Sequence, residues 1–246
     1  GSSRMGGASA LFEWIQERAL GRFDAVVAVS LPLVEALQAR GVPRSRIHVV
    51  PNAWTPPTES LDRPAARDLL GVADDRRVLG WVGRLIPIKG ADVLLDALAL
   101  LRSDGWYACI VGDGPERAEL EARADDLGLG DRVSFLGAIP DAARLFAGLD
   151  LFVISSRSEG TPMVLLEAMG AGVPVVSTDV GGIPDVLRPP DEGWLAPPET
   201  PEALAAAIDE ALADPDRRAD VASAGRTRIE SAFDQAAWVA RHDEVY

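Results

Sequence analysis

The sequence has 246 residues, of which 48% are hydrophobic and 25% charged, a composition that excludes collagen-like, disordered and disulfide-scaffold proteins. Its 38 acidic side chains outnumber the 24 lysines and arginines, and the net charge of −14 argues against a nucleic-acid partner or an anionic lipid surface. At about 150 residues per domain, this length predicts one domain and part of another.

The first regular pattern along the chain is a strand–helix–strand unit. Residues 24–29 form an apolar strand, a helix starts after Ser30, and residues 46–50 form a second strand. The irregular stretch 51–64 contains two adjacent prolines and predicts a linker. Residues 10–55 are therefore expected to be the end of one domain with the start of the linker. Residues 1–9 are typical of a tag remnant.

Beyond the linker, apolar strands and helices alternate regularly. The six predicted strands are 78–82, 108–111, 133–136, 151–154, 175–177 and 194–196. Uniformly apolar strands separated by helices indicate an α/β fold, a doubly wound parallel sheet covered on both faces. We expect this domain to span 64–232 and a final helix to span 233–246. Ligands bind such sheets at the carboxyl ends of the strands, so the loops that follow strands are the candidate site.

Two cations follow the first strand of this sheet. Arg84 comes directly after Gly83, and Lys89 lies five residues beyond Arg84. An arginine fork and a mobile lysine charge suit phosphate oxygens, and glycine lets the backbone approach a ligand closely. A pair of solvated surface charges is the alternative, and the spacing leaves it open.

The loop after the fourth strand carries more specific signals. Pro162 begins an apolar helix, so the free amides of Met163 and Val164 favour an anion or a sugar oxygen. Glu167 is the only polar side chain within that helix, and a buried carboxylate needs a hydrogen-bond donor, which a ligand hydroxyl would supply. Glu159, just before the helix, suits either a ligand or the helix amino terminus. An arginine from elsewhere in the chain remains an alternative partner for either carboxylate.

Other segments give weaker signals. Residues 112–115 form either a cleft lining or a plain turn, and a flat base could lie against the backbone at Ile139. Cys109 lies in an apolar run and is predicted to be a buried core residue. No cysteine pair, zinc motif or phosphate loop is present. With no disulfide, no membrane-length apolar run and no secretion signal, we predict a cytoplasmic protein, with membrane association left open for the full-length form.

Taken together and in order, these segments resemble the carboxyl-terminal, donor-binding half of a retaining family-4 glycosyltransferase of the B-type, two-Rossmann-domain fold. The resemblance rests on Gly83-Arg84 with Lys89-Gly90, on 111–115, on the Glu-x7-Glu element from Glu159 to Glu167, and on 168–176 and 181–186. Residues 24–30 and 47–52 look like the end of the family's amino-terminal domain. The chain departs from the family at Asn52-Ala53-Trp54, where Asn-Gly-Val is common.

The resemblance implies transfer of a hexosyl group from a UDP- or GDP-linked sugar, with no metal and no other cofactor. Arg84 and Lys89 would hold the diphosphate, Glu159 would contact donor-sugar hydroxyls, Glu167 would accept from the ribose, and Ile139 would border the base. Arg84, Lys89 and Glu159 are the implied catalytic residues. The implied substrate contacts are Gly83, Ile139, Gly160, Thr161, Met163, Val164 and Glu167.

The resemblance also implies that the acceptor domain is almost entirely missing. The acceptor therefore stays unknown, transfer by this fragment alone is expected to be negligible, and the final helix 233–246 is expected to expose an apolar face that invites a homodimer. Three alternatives remain: a nucleotide-sugar-binding subunit that needs a separate acceptor-domain partner, a nucleotide-sugar 2-epimerase, and a doubly wound domain without a ligand.

Overall fold

The protein is described by a computed structural model over residues 23–57, 59–73 and 75–245. The tag-like segment 1–9 and the start of the predicted unit 10–55 lie outside the described residues. Within them, the strands form two parallel sheets, one of two strands and one of six. The predicted α/β class with a parallel sheet is therefore confirmed.

The smaller sheet belongs to the amino-terminal unit. Strand β1 (Val26–Ala28), helix α1 (Leu31–Ala39) and strand β2 (Ile47–Val49) follow in chain order, and the two strands pair in parallel. Both strands are shorter than the apolar runs that predicted them, because only three positions of each strand pair. A small cluster that includes Val34 and Leu37 buries the inner side of α1.

The larger domain contains all six predicted strands, with ends that differ by at most two residues. They are β3 (Arg77–Val82), β4 (Trp106–Val111), β5 (Val133–Gly137), β6 (Leu151–Ile154), β7 (Val175–Thr178) and β8 (Trp194–Ala196). The helices are α2 (Arg63–Leu70), α3 (Ala91–Ala99), α4 (Arg117–Asp126), α5 (Met163–Gly170), α6 (Ile183–Val186), α7 (Pro201–Ala213), α8 (Pro215–Ala232) and α9 (Gln235–Asp243).

The strand order of the larger sheet is β5-β4-β3-β6-β7-β8. The order reverses between β3 and β6, which pair through Leu79 and Leu151. Crossovers leave these two strands toward opposite sides of the sheet, and this opens a crevice at their carboxyl ends. The loop with the two predicted cations and the loop with Glu159 are therefore neighbours, although they are far apart in sequence.

Helices cover both faces of the larger sheet. Alternate residues of β3 point to opposite faces, so Leu79 packs in one apolar cluster and Val78 in the other. The first cluster draws on α3, α4 and α7, and the second on α2, α5 and α8. Cys109 is buried in the second cluster, as predicted, and burial raises the pKa of its thiol to about 11.

The chain crosses between the two units at two points. The Trp54 amide donates to the Phe233 carbonyl over 2.7 Å, and a cavity of about 290 Å³ is lined by His48 of β2 and Arg241 of α9.

Helix α9 has no buried residue, and Val239 on it is 44% exposed. Dimerisation through this helix stays a prediction. None of the helices in the described ranges is long and apolar enough to cross a bilayer.

Candidate functional site

The loop after β3 is held in shape by the loop after β4. A Cβ atom at Gly112 would overlap the Gly83 carbonyl, and one at Gly114 would overlap the carbonyl of Leu85. Gly112 has a φ of +142°, a conformation that side chains rarely adopt. The Leu85 amide donates to the Asp113 carbonyl over 3.0 Å. Segment 112–115, for which the sequence left a cleft lining and a plain turn open, therefore supports the loop that carries the two cations.

Lys89 and Glu159 meet across the switch point. The ammonium Nζ lies 2.7 Å from the carboxylate Oε1, and the two side chains are 27% and 9% exposed. The Ser156 hydroxyl donates to the same oxygen over 2.6 Å. The predicted catalytic lysine and glutamate are thus brought together, and each partly neutralises the other.

Arg84 contrasts with Lys89. It is exposed, and its side chain makes no hydrogen bond or ion pair with any residue in the described part of the chain. Its guanidinium is therefore accessible to solvent in the loop that follows β3. A ligand with several negative charges can therefore contact Arg84 without breaking an internal ion pair.

Helix α5 begins at the predicted position. Pro162 is the N-cap of α5 and provides no side-chain hydrogen bond to the first turn. The Leu165 amide donates to the Pro162 carbonyl over 3.1 Å. Met163 is 43% exposed and Val164 is half-buried. The first-turn amides of a helix have no intrahelical acceptor, so those of Met163 and Val164 can donate hydrogen bonds to a ligand oxygen.

Glu167 is a half-buried carboxylate without a hydrogen-bond donor among the described residues. Burial, and then the nearby charge of Asp141, raise its pKa above the ordinary value of 4.5. It lines a cavity of about 370 Å³ together with Asp141, Trp54 and the linker residues 55–57. A carboxylate in this state is stabilised by any ligand that donates hydrogen bonds to it.

Three other predicted contacts have different surroundings. The Thr161 hydroxyl donates to the Val29 carbonyl over 2.6 Å, and the Asn52 side chain donates to the Thr161 carbonyl over 2.9 Å. The Gly160 carbonyl accepts from the Gly182 amide over 2.8 Å. Ile139 is half-buried against the second apolar cluster. Thr161 therefore ties the Glu159 loop to the amino-terminal unit, a contact that the sequence pattern did not indicate.

Sequence reasoning gave no role to Ser156 and Arg157, although both lie in the loop that was singled out. Ser156 holds Glu159, and Arg157 bonds to residues of the Lys89 turn. The sequence signal that could have indicated a role for Ser156 and Arg157 is their position directly after β6, one of the two strands at the switch point. Among the described residues, no group of three or more His, Cys, Asp or Glu side chains is arranged to hold a metal ion.

A doubly wound parallel sheet with two cations and a carboxylate at its switch point has the arrangement in which open α/β domains bind their ligands. The chain belongs to the glycosyltransferase family described as Glycosyl transferases group 1, whose model matches residues 62–228. A second model, Glycosyl transferase 4-like domain, matches residues 1–53. That match includes residues 1–9, for which the tag interpretation stays a prediction.

The most similar curated relatives include two D-inositol 3-phosphate glycosyltransferases. That of Thermobispora bispora is 38% identical over 197 residues, which are 75% of this chain and 46% of the relative. That of Jonesia denitrificans is 33% identical over 197 residues, 74% of this chain and 46% of the relative. The chain thus spans about half the length of these relatives.

Solved structures of glycosyltransferases share the fold. Sucrose-phosphate synthase from Thermosynechococcus elongatus superposes with a TM-score of 0.83 and 29% identity, over 95% of this chain and 60% of that chain. Anabaena Alr3699/HepE in complex with UDP and glucose gives 0.82 and 30%, over 94% of this chain and 64% of that chain. The chain therefore shares the fold of B-type glycosyltransferases.

Proposed function

We propose that this chain is the donor-binding half of a retaining, family-4 glycosyltransferase that transfers a hexosyl group from a nucleotide-diphosphate sugar to an acceptor. The observation that carries the proposal is the Lys89–Glu159 ion pair at the switch point, with Arg84 exposed in the same loop as Lys89 and without a side-chain partner among the described residues. HepE was solved with UDP and glucose, and this likeness supports a UDP-linked donor over a GDP-linked one.

In the proposed reaction, Arg84 and Lys89 stabilise the departing nucleoside diphosphate. As the bond between the sugar and the diphosphate breaks, negative charge grows on the leaving group, and two fixed cations lower the energy of that state. Lys89 is already held at the crevice by Glu159. A diphosphate carries more negative charge than one carboxylate, so it competes successfully for the ammonium.

Glu159 then takes a second role. Once Lys89 turns to the diphosphate, the carboxylate keeps its bond from Ser156 and has lone pairs left for donor-sugar hydroxyls. The amides of Met163 and Val164 lie at the start of α5 and donate to sugar or phosphate oxygens. Gly83, Gly160 and Thr161 are further proposed contacts through their backbone.

The nucleoside is proposed to lie between Ile139 and Glu167. The ribose carries two hydroxyl donors, and the Glu167 carboxylate lacks a donor among the residues that the structure describes. Binding the ribose would therefore compensate the desolvation that raises the pKa of Glu167. The backbone at Ile139 is proposed to border the base.

Further parts of the proposal rest on the family resemblance. Retention would follow from front-face attack within an ion pair, without a covalent enzyme intermediate. Neither a metal nor another cofactor is proposed, because two cationic side chains supply the charge that a divalent ion supplies elsewhere. We place the full-length protein in the cytoplasm, where a chain without disulfides is stable.

The domain organisation is proposed from two features that agree. Residues 10–55 would be the end of the acceptor domain, 64–232 the donor domain, and 233–246 a helix that crosses back to the first domain. The two separate sheets and the two family matches divide the chain at the same linker. The acceptor remains unassigned, and we expect no transfer by this chain alone because nothing would hold an acceptor in line with the donor.

Calorimetric titration with UDP, GDP and ADP tests the proposal. We expect one diphosphate to bind to the wild-type chain, and we expect Glu167→Ala and Arg84→Ala/Lys89→Ala each to weaken binding by roughly tenfold or more, as for charge-assisted hydrogen bonds. Arg226→Ala, which removes an exposed cation paired with Glu230 on α8, is the matched control and should bind like the wild type. Absence of binding by all three diphosphates at millimolar concentration would refute the donor-site assignment.

A separate assay distinguishes the two remaining functions. Transfer to an added acceptor only after a second polypeptide is supplied would favour a donor-binding subunit. Release of an epimerised sugar from a nucleotide sugar, without any acceptor, would favour a nucleotide-sugar 2-epimerase.

A further inference from the structure

The turn that carries Lys89 is held in place by Arg157. Residues Pro87–Lys89 form a single 3₁₀ turn, and Ile88 at its centre is 46% exposed. So short an element has few hydrogen bonds of its own. Arg157, in the loop after β6, donates two further hydrogen bonds to this turn. Its amide donates to the Ile88 carbonyl over 2.9 Å, and its Nη1 donates to the Pro87 carbonyl over 2.5 Å.

Arg157 is itself fixed by two carboxylates. Its Nη1 and Nη2 donate to the two oxygens of Asp92 over 2.9 and 2.7 Å, and its Nε donates to Glu199 over 3.1 Å. Asp92 lies in the first turn of α3, directly after the Lys89 turn, and Glu199 precedes α7. Arg157 therefore fastens three separate segments, and only a planar guanidinium has donors in the directions that this requires.

A second set of contacts closes the turn from the side of the sheet. The Ser155 hydroxyl donates to the Lys89 carbonyl over 3.3 Å, and the Trp81 indole donates to that hydroxyl over 3.1 Å. A Cβ atom at Gly90 would overlap the Ser155 carbonyl. The turn is thus held by two sets of contacts: Ser155 bonds to the Lys89 carbonyl, and Arg157 bonds to the carbonyls of Pro87 and Ile88 just before it.

From this geometry we propose that Arg157 is a positioning residue for the donor diphosphate. It holds the backbone of Lys89 so that the ammonium stands at the crevice before the ligand arrives. This inference rests on the proposed function, because it assumes that Lys89 binds the diphosphate. Arg157 is proposed to act through Lys89, since four of its five N–H groups already donate to Asp92, Glu199 and the Pro87 carbonyl. Ordering the turn in advance lowers the entropy that binding must remove.

The test is a double-mutant cycle read with two ligands. UDP and uridine are titrated against the wild-type chain, Arg157→Met, Lys89→Met and the double variant. We expect Arg157→Met to weaken UDP about three- to tenfold, as one well-placed charged contact is partly lost. Uridine, which has no phosphate, should bind equally to all four proteins. In the Lys89→Met background, Arg157→Met should cause no further loss of UDP affinity.

Two more variants separate charge from geometry. Arg157→Lys keeps the positive charge without the planar fork, so we expect it to bind UDP as weakly as Arg157→Met does. Asp92→Asn removes the charge of one partner of Arg157 and leaves the arginine in place. A smaller loss of UDP affinity in Asp92→Asn, again absent without Lys89, would support the positioning role in a protein in which one carboxylate oxygen is replaced by an NH2 group.

A matched control lies one helical turn further along α3. Arg123 comes from α4 and donates through Nε and Nη2 to both oxygens of Asp96 over 2.9 and 2.7 Å, whereas Arg157 uses Nη1 and Nη2 on Asp92. Among the described residues, no hydrogen bond or ion pair joins Arg123 to the Lys89 turn. We expect Arg123→Met to lower the melting temperature as much as Arg157→Met while UDP affinity stays unchanged.

The outcomes distinguish failure of the positioning role of Arg157 from failure of the proposed donor-binding function. If Arg123→Met weakens UDP equally, or if Arg157→Met and Lys89→Met weaken it additively, the positioning role is wrong and Arg157 acts by stability or by direct contact. If Lys89→Met weakens UDP and Arg157→Met does not, only the positioning role fails. If the wild-type chain binds GDP or ADP instead of UDP, the same cycle is read with that diphosphate and its nucleoside. If it binds none of the three diphosphates, the proposed function fails and the positioning role fails with it.

Discussion

Removing Lys89 should destabilise the protein even when no ligand is present. In Lys89→Met, the Glu159 carboxylate, which is 9% exposed, keeps the Ser156 hydroxyl as its one donor among the residues that the structure describes. Breaking a fully buried ion pair costs about 3–5 kcal/mol, and an exposed pair contributes about 0–1 kcal/mol. Because Lys89 is 27% exposed, we expect a loss of about 2 kcal/mol. For a chain of this size, that lowers the melting temperature by about 4–8 °C.

The reciprocal variant should cost less. In Glu159→Gln the lysine loses its partner, but its ammonium can reach water from its partly exposed position. The double variant Lys89→Met/Glu159→Gln removes both charges and leaves no buried carboxylate without its counter-ion. We therefore expect the double variant to be more stable than Lys89→Met, with a coupling energy of about 1–2 kcal/mol.

Thermal and urea denaturation of the four proteins measure this coupling. Arg226→Met, which breaks an exposed pair on α8 with side chains 56% and 48% exposed, serves as the control and should change stability by less than about 0.5 kcal/mol. If Lys89→Met melts like the wild type, or if the double variant loses the sum of the two single losses, the Lys89–Glu159 pair does not form in the unliganded protein.

Two further variants probe the other side of the site. Burial raises the pKa of Glu167 above 4.5, so Glu167→Gln should raise the melting temperature at neutral pH. At neutral pH the wild-type protein carries the cost of a charged, half-buried Glu167, which glutamine avoids. As the pH falls through the raised pKa of the folded state to below the ordinary value, Glu167 becomes neutral and the difference in melting temperature should disappear. A difference that does not depend on pH would contradict the raised pKa of Glu167. Gly170→Ala should lose about 1–3 kcal/mol in urea denaturation, because its Cβ atom would overlap the Trp54 ring. If the overlap is the cause, adding Trp54→Leu should restore part of the loss.

The fold of the larger domain could be predicted because its strands are fully buried. A run such as 151–154 has no polar residue, and its ends coincide with strand β6. The amino-terminal unit was harder, since the run 24–29 is longer than the three residues of β1 that pair. An apolar run predicts which residues are buried. How many of them form backbone hydrogen bonds depends on the length of the neighbouring strand, which the run itself does not show.

The pairings inside the site could not be predicted in the same way. Lys89 and Glu159 are 70 residues apart in sequence, and the partners Arg157 and Asp92 are 65 apart. A loop position tells which edge of the sheet a side chain reaches, and it does not tell which of several charges it meets there. Thr161 is the clearest case, because nothing in the sequence pattern indicated that its hydroxyl donates to Val29 of the other unit.

The two ends of the candidate site are in different states before a donor arrives. At one end, Arg84 is solvated and Glu167 has no donor within the described ranges, so a nucleotide can contact both without breaking an internal bond. At the other end, Lys89 and Glu159 satisfy each other, and a sugar alone offers no charge with which to displace the ammonium. On the proposed function, Glu159 therefore becomes available to donor-sugar hydroxyls only after a diphosphate has drawn Lys89 away. The ion pair would make recognition of the sugar depend on the nucleotide to which it is attached.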